Sequence, residues 1–238
     1  MVRPTLKKQI PNLQEAIKET AWNQIAEFGA AALSLRAIAR ELKITAPAIY
    51  NYFPDRDALV TALIIDAYAS FGDYQLAARD SFPREQMRAR FDAIGIAYRQ
   101  WAIEFPQRYQ LIFGTPIPGY DAPKMEVMPT GARSLSALVS VVDDLRVANL
   151  LNVRVENFPT VQPEFQQHFE AWKTYAGNYD IFSLSLSMLI WSRVHGLVSL
   201  ELSGNIPPHG VDGEALYRFE LDLIEKQFIV QHADSKVS

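Results

Sequence analysis

Few side chains in this 238-residue sequence sit at spacings that support bond-making chemistry. There is no cysteine, which removes thiolate nucleophiles, thiolate metal sites and disulfides together. The four histidines (His168, His195, His209, His232) are not at metal-ligand spacing. No Gly-rich phosphate loop, His-Glu-x-x-His or Gly-x-Ser-x-Gly motif occurs. Asp143 and Asp144 are adjacent, so on a helix their carboxylates point in different directions. What remains is recognition chemistry between Arg36 and Arg56. Arg36 can give a guanine two parallel hydrogen bonds. The bland alternative for it is a solvated surface arginine. Ala46, Pro47 and Ala48 are small, so a helix carrying them at its start can approach base edges and touch thymine methyls.

Those residues need short helices around a tight turn. Asn12, with Glu15 three residues on, opens a helical pattern in which Leu13, Ile17, Ala21, Ile25 and Phe28 line one face, and Gly29 ends it. Ser34 is the next N-cap candidate, ahead of Leu35, Ile38, Ala39 and Leu42 at helical spacing. Thr45 is a third, with Pro47 in the first turn behind it. Ile38, Leu42, Ile49 and Phe53 then pack a small core, and Thr45, Ala46, Ala48, Asn51 and Tyr52 face outward. Asp55 caps a fourth helix running to about Ala78, with Leu59, Leu63, Ile64 and Ala67 inside. Two helices joined by so short a turn have the geometry of a helix-turn-helix.

The segment from Leu33 to Leu63, LSLRAIARELKITAPAIYNYFPDRDALVTAL, resembles the DNA-binding region of the TetR family of transcriptional regulators. The likeness covers about residues 10–65. It includes Phe28-Gly29, Ile38-Ala39, the stretch from Pro47 to Phe53, and Asp57-Ala58-Leu59. The resemblance implies an all-α fold: a three-helix DNA-binding head over residues 1–55, then a helical effector-binding and dimerisation domain over 56–238. It implies that Arg36 reads a base and that Tyr50 and Arg56 touch phosphates. Lys43 stands where the family usually has glycine; a positive φ there is mildly unfavourable for lysine, so the departure is expected to alter the turn slightly and to add a cation beside the phosphates. Arg3, Lys7 and Lys8 are an arm along the DNA or a solvated tail.

Charge is compatible with this division. Residues 1–60 hold eight Lys or Arg against six Asp or Glu, and residues 61–238 hold fifteen against twenty-one. Apolar residues make up 49% of the chain, enough for a sizeable core. A helix is expected from Pro83 to Phe105, then a short helix and a long irregular loop over 106–131, where eight residues are Pro or Gly. Further helices are expected over 132–151, after Pro163, through 181–200 and over 212–231. The uncharged run from Ile181 to Ser192 is twelve residues, short of the roughly twenty of a membrane span. The expectation is a cytoplasmic protein with no membrane partner, no cofactor and no metal.

Tyr98, Trp101, Tyr109, His168, Trp172 and Tyr175 are aromatic groups with a polar handle, suited to an effector pocket or to plain core. The segment from Trp191 to Gly196 resembles the Trp-His-Gly signature of one class of TetR C-terminal domains. On the last helix Leu216, Phe219 and Leu223 face one way and Leu221, Ile224 and Phe228 another, so it must be covered twice. A second copy of the chain is the natural second cover, meeting Leu189, Val194, His195 and Leu197 as well. The expected partners are therefore a double-stranded operator, a second subunit and an unidentified small molecule. A helical protein-binding adaptor, or an enzyme without a recognisable motif, are the other classes.

Overall fold

The computed structural model describes residues 11–153, 159, 163–206 and 213–230. Arg3, Lys7, Lys8, His209 and His232 lie outside the described residues. Among the described residues ten α-helices follow in order: α1 Leu13–Phe28, α2 Leu35–Glu41, α3 Ala46–Tyr50, α4 Arg56–Asp80, α5 Met87–Glu104, α6 Pro106–Phe113, α7 Lys124–Val147, α8 Pro163–Ala176, α9 Ile181–Leu202 and α10 Gly213–Phe228. A 3-10 turn, Ala30–Ala32, links α1 to α2. Among the described residues there is no strand, only an isolated antiparallel bridge between Leu151 and Ile229.

Packing divides the chain into two compact units. The first holds residues 1–67 and 107–123, and the second 68–106 and 124–238. In the first, the α1 stripe of Ile17, Ala21 and Ile25 is buried with Ile38, Ala39, Ile49, Phe53, Leu59 and Leu63. Each of the isoleucine, leucine and phenylalanine side chains contributes about 1.5–3 kcal/mol by leaving water. Phe28, expected on that stripe, is instead exposed, because the helix ends there and Gly29 turns the chain away at φ 79°. α6 belongs to this unit. Arg108 lies over the Trp22 ring of α1 at 5.5 Å, and the Tyr120 hydroxyl meets Thr61 Oγ1 at 2.9 Å.

In the second unit, α9 packs against α5, α7, α8 and α10. By length and composition α9 could cross a membrane, contrary to the reading of its twelve-residue run. It is instead a core helix here, with Phe182, Leu184, Leu186, Ile190 and Val198 buried within the unit. The expected loop over 106–131 is shorter than its prolines suggest, since α7 begins at Lys124 with Pro129 inside it. Pro129 forfeits its bond to the Met125 carbonyl and crowds that carbonyl with its ring, a disturbance confined to the exposed start of the helix.

Candidate nucleic-acid interface

Local chemistry sets the entry of each head helix. Asn12 Oδ1 accepts from the Glu15 N–H at 3.4 Å, Ser34 Oγ from the Ala37 N–H at 3.4 Å, and Asp55 Oδ1 from the Ala58 N–H at 2.7 Å. Thr45 occupies the N-cap position of α3, but its side chain makes no capping bond. Pro47 in the first turn reduces the number of free N–H groups that a cap would have to satisfy.

The turn between α2 and α3 closes on Lys43, at φ 55°. The Ile44 N–H donates to the Ala39 carbonyl at 3.0 Å and the Lys43 N–H to the Arg40 carbonyl at 3.2 Å. That pair of bonds is a Schellman motif, whose left-handed residue is usually glycine. Lys43→Gly is therefore expected to stabilise the chain by up to about 1 kcal/mol, raising the thermal midpoint by about 2–4 °C. A lowered midpoint would contradict the strained turn.

With Ile49 and Phe53 pinned in the core, the turn and α3 present a continuous outward face. Thr45, Pro47, Tyr50, Asn51 and Tyr52 are exposed, and Ala46 and Ala48 partly so. Arg36 projects from the first turn of α2, exposed and with no hydrogen bond or ion pair among the described residues; the same holds for the Lys43 side chain. Arg40, one turn beyond Arg36, is a third exposed cation of this kind that the motif reading passed over; its i+4 spacing was the available signal. Arg56 differs from these. Its guanidinium reaches back to the Ala30 and Ala31 carbonyls at 3.1 and 3.3 Å. Gln24 was also passed over. It is buried on α1, and its Oε1 accepts from the Ser34 N–H at 3.4 Å.

The six pocket candidates are divided between the two units. Tyr109 is buried in the first unit, whereas the others lie in the second. His168, expected inside, is exposed. The phase of α8 turns Phe169 and Trp172 onto the cluster of Val139 and Leu184, and leaves His168 Nδ1 beside the Glu164 carbonyl at 2.7 Å. Tyr175 is partly exposed. Tyr98 and Trp101 are buried on α5 around Phe71, and Trp101 Nε1–H donates to Ser70 Oγ at 3.0 Å. A cleft of about 300 Å³ opens elsewhere, between Tyr74 and Ala78 of α4, Phe82, and Ala93, Ile96 and Gln100 of α5; none of the six lines it.

The Tyr98 hydroxyl lies 2.8 Å from His195 Nδ1, Trp191 stacks on that imidazole at 4.7 Å, and Ser199 Oγ is 3.4 Å from Nε2. Burial pushes the His195 pKa below its ordinary 6.5. The unfolded chain therefore takes up this proton first. The stability contributed by neutral His195 is complete above pH 6.5 and is lost as pH falls toward the lower folded value. Between pH 7.5 and 5.5 the thermal midpoint should fall further in the wild type than in His195→Gln. Equal falls would contradict a buried neutral imidazole.

On α9 and α10 the outer face is apolar. Leu189 is 50% and Phe219 59% exposed, Leu223 is exposed, and Leu197 and Leu216 are partly so. Val194, expected on this face, is 5% exposed and turned into the subunit's own core, one helical step from the outward positions. Tyr217, Leu221, Ile224 and Phe228 bury the opposite side of α10.

Comparison with known proteins agrees with this arrangement. Residues 17–63 match the bacterial regulatory proteins of the tetR family, and residues 91–224 match the tetracyclin repressor-like C-terminal domain. The chain belongs to the TetR family. An HTH-type transcriptional regulator of Mycobacterium tuberculosis, Rv1816, is 31% identical over 194 residues, 81% of each chain. The crystal structure of the regulatory protein SCO4313 is similar at 35% identity and TM-score 0.69, over 90% of this chain and 98% of that one. A SmeT–triclosan complex, at 12% identity and TM-score 0.63 over 93% and 94% of the two chains, shares the fold alone. This TetR-family protein is a transcriptional regulator with an N-terminal helix-turn-helix DNA-binding domain, and it is not an enzyme.

Proposed function

We propose that this regulator is a cytoplasmic repressor that binds a near-palindromic operator as a homodimer and leaves it when a small molecule binds. The observation that carries the reading is the coexistence of two uncovered surfaces of opposite chemistry. One is the unpaired face of Arg36, Lys43, Thr45, Ala46, Pro47, Ala48, Tyr50, Asn51 and Tyr52 in the head. The other is the apolar face of Leu189, Leu197, Leu216, Phe219 and Leu223 on α9 and α10. Two such helix pairs form a four-helix seam, and the twofold symmetry of the seam is passed to the DNA site.

Residues 1–55 are the DNA-binding part of this scheme and 56–238 the effector-binding and dimerising part. α4 is the pendulum, since it runs from one unit into the other. That one fold neighbour is a complex with triclosan is consistent with small-molecule control. A tenfold change in operator occupancy needs only about 1.4 kcal/mol of differential affinity between two head spacings.

Selection of bound duplexes from a random pool, repeated in the presence of fractionated metabolite extract, tests both halves. The expected yield is an inverted repeat whose recovery one fraction suppresses. An unstructured yield, or one that no fraction alters, would count against the operator or the effector respectively.

A further inference from the structure

The entry to α2 is anchored by the buried Leu33 and Leu35, while the turn ahead of it is held by polar contacts. The 3-10 turn Ala30–Ala32 buries no side chain, and Gly29 before it lies at φ 79°. Apart from the turn's own bonds, from Ala32 N–H to Gly29 at 3.1 Å and from Leu33 N–H to Ala30 at 3.3 Å, two long side chains hold it. Gln24 of α1 accepts from the Ser34 N–H. Arg56, the first residue of α4, places Nη2 against the consecutive carbonyls of Ala30 and Ala31 and Nη1 3.4 Å from Asp57 Oδ1. Carbonyl oxygens are acceptors; one guanidinium nitrogen serves both carbonyls while the other faces Asp57, and a lysine ammonium, a single nitrogen on a shorter reach, cannot fill both places. Five residues after Ala31, the chain presents Arg36.

We propose that Arg56 is a positioning residue for operator recognition: its guanidinium staples the α1–α2 turn to the start of α4 and so fixes the direction in which Arg36 leaves α2. This replaces the expected phosphate contact. It rests on the DNA-binding reading above for its consequence, but the staple itself belongs to the free protein. The cost of losing it falls on specificity, because a base-reading fork tolerates little misdirection, whereas non-specific attraction depends on charge.

Arg56→Lys separates the two roles, since it keeps the charge but falls short of Nη2 and lacks the second nitrogen that faces Asp57. In the free protein, amide hydrogen exchange over residues 32–37 should quicken in this variant while exchange in α7 and α9 stays as in the wild type. Against a selected operator and a random duplex of equal length, the ratio of affinities should fall about tenfold, with random-duplex affinity and its salt dependence unchanged. Retention of wild-type exchange would overturn the staple. Quickened exchange with an unaltered operator preference would overturn its positioning role. In the phosphate-contact alternative, Arg56→Lys binds both duplexes like the wild type, and Arg56→Ala loses equally on both with the salt slope flattened by about two ions, one for each subunit. A wild-type chain that selects no sequence would instead sink the preceding section's reading and leave the exchange result to judge the staple.

Discussion

Arg36→Ala should lower affinity for the selected operator by at least about thirtyfold while weakening binding to random DNA only slightly. A bidentate contact from arginine to guanine is worth about 1–3 kcal/mol of discrimination, and a symmetrical site loses it twice. The expectation rests on where the side chain stands. Arg36 is exposed in the first turn of a helix capped by Ser34, with no partner among the described residues to satisfy its five donors. Ala46, Pro47 and Ala48 at the start of α3 are small and apolar, so this stretch suits thymine methyls and leaves guanine to the Arg36 fork. Fluorescence anisotropy titrations with both duplexes read the ratio directly. Equal losses on the two would reduce Arg36 to a non-specific cation.

Phe219→Glu should convert a dimer into a chain of 26.9 kDa by light scattering at micromolar concentration, and should lower operator affinity more than a hundredfold. Phe219 is the most exposed large apolar side chain on α10, and its replacement puts a carboxylate from each copy into an apolar seam. Because the ring lies outside the subunit's own core, helical content should survive the change. A dimer of undiminished operator affinity would show that this face is not the seam.

The head was legible because its signals are local. Ser34 and Asp55 announce their caps within three residues, and the α1 stripe repeats with the helical period. Even the positive φ of Lys43 could be anticipated from the glycine usual at that turn. What stayed hidden joins distant segments. The reach of Arg56 to Ala30 spans 26 residues and the bond from Tyr98 to His195 spans 97, and neither leaves a periodic trace. His168 and Val194 failed for a different reason. Each is one step out of phase on its helix, a rotation that composition cannot resolve. The prolines after residue 106 misled because α7 carries Pro129 within its second turn, where the lost bond and ring crowding disturb only the helix start and mark no boundary.

A chemical interference footprint on the selected operator tests the central claim most directly. With α3 and Arg36 seated in the major groove of each half-site, methylating guanine N7 or replacing thymine by uracil should abolish binding at two clusters, related by symmetry and about one helical turn apart. Interference confined to adenine N3 in the minor groove, or to a single unsymmetrical cluster, would contradict it.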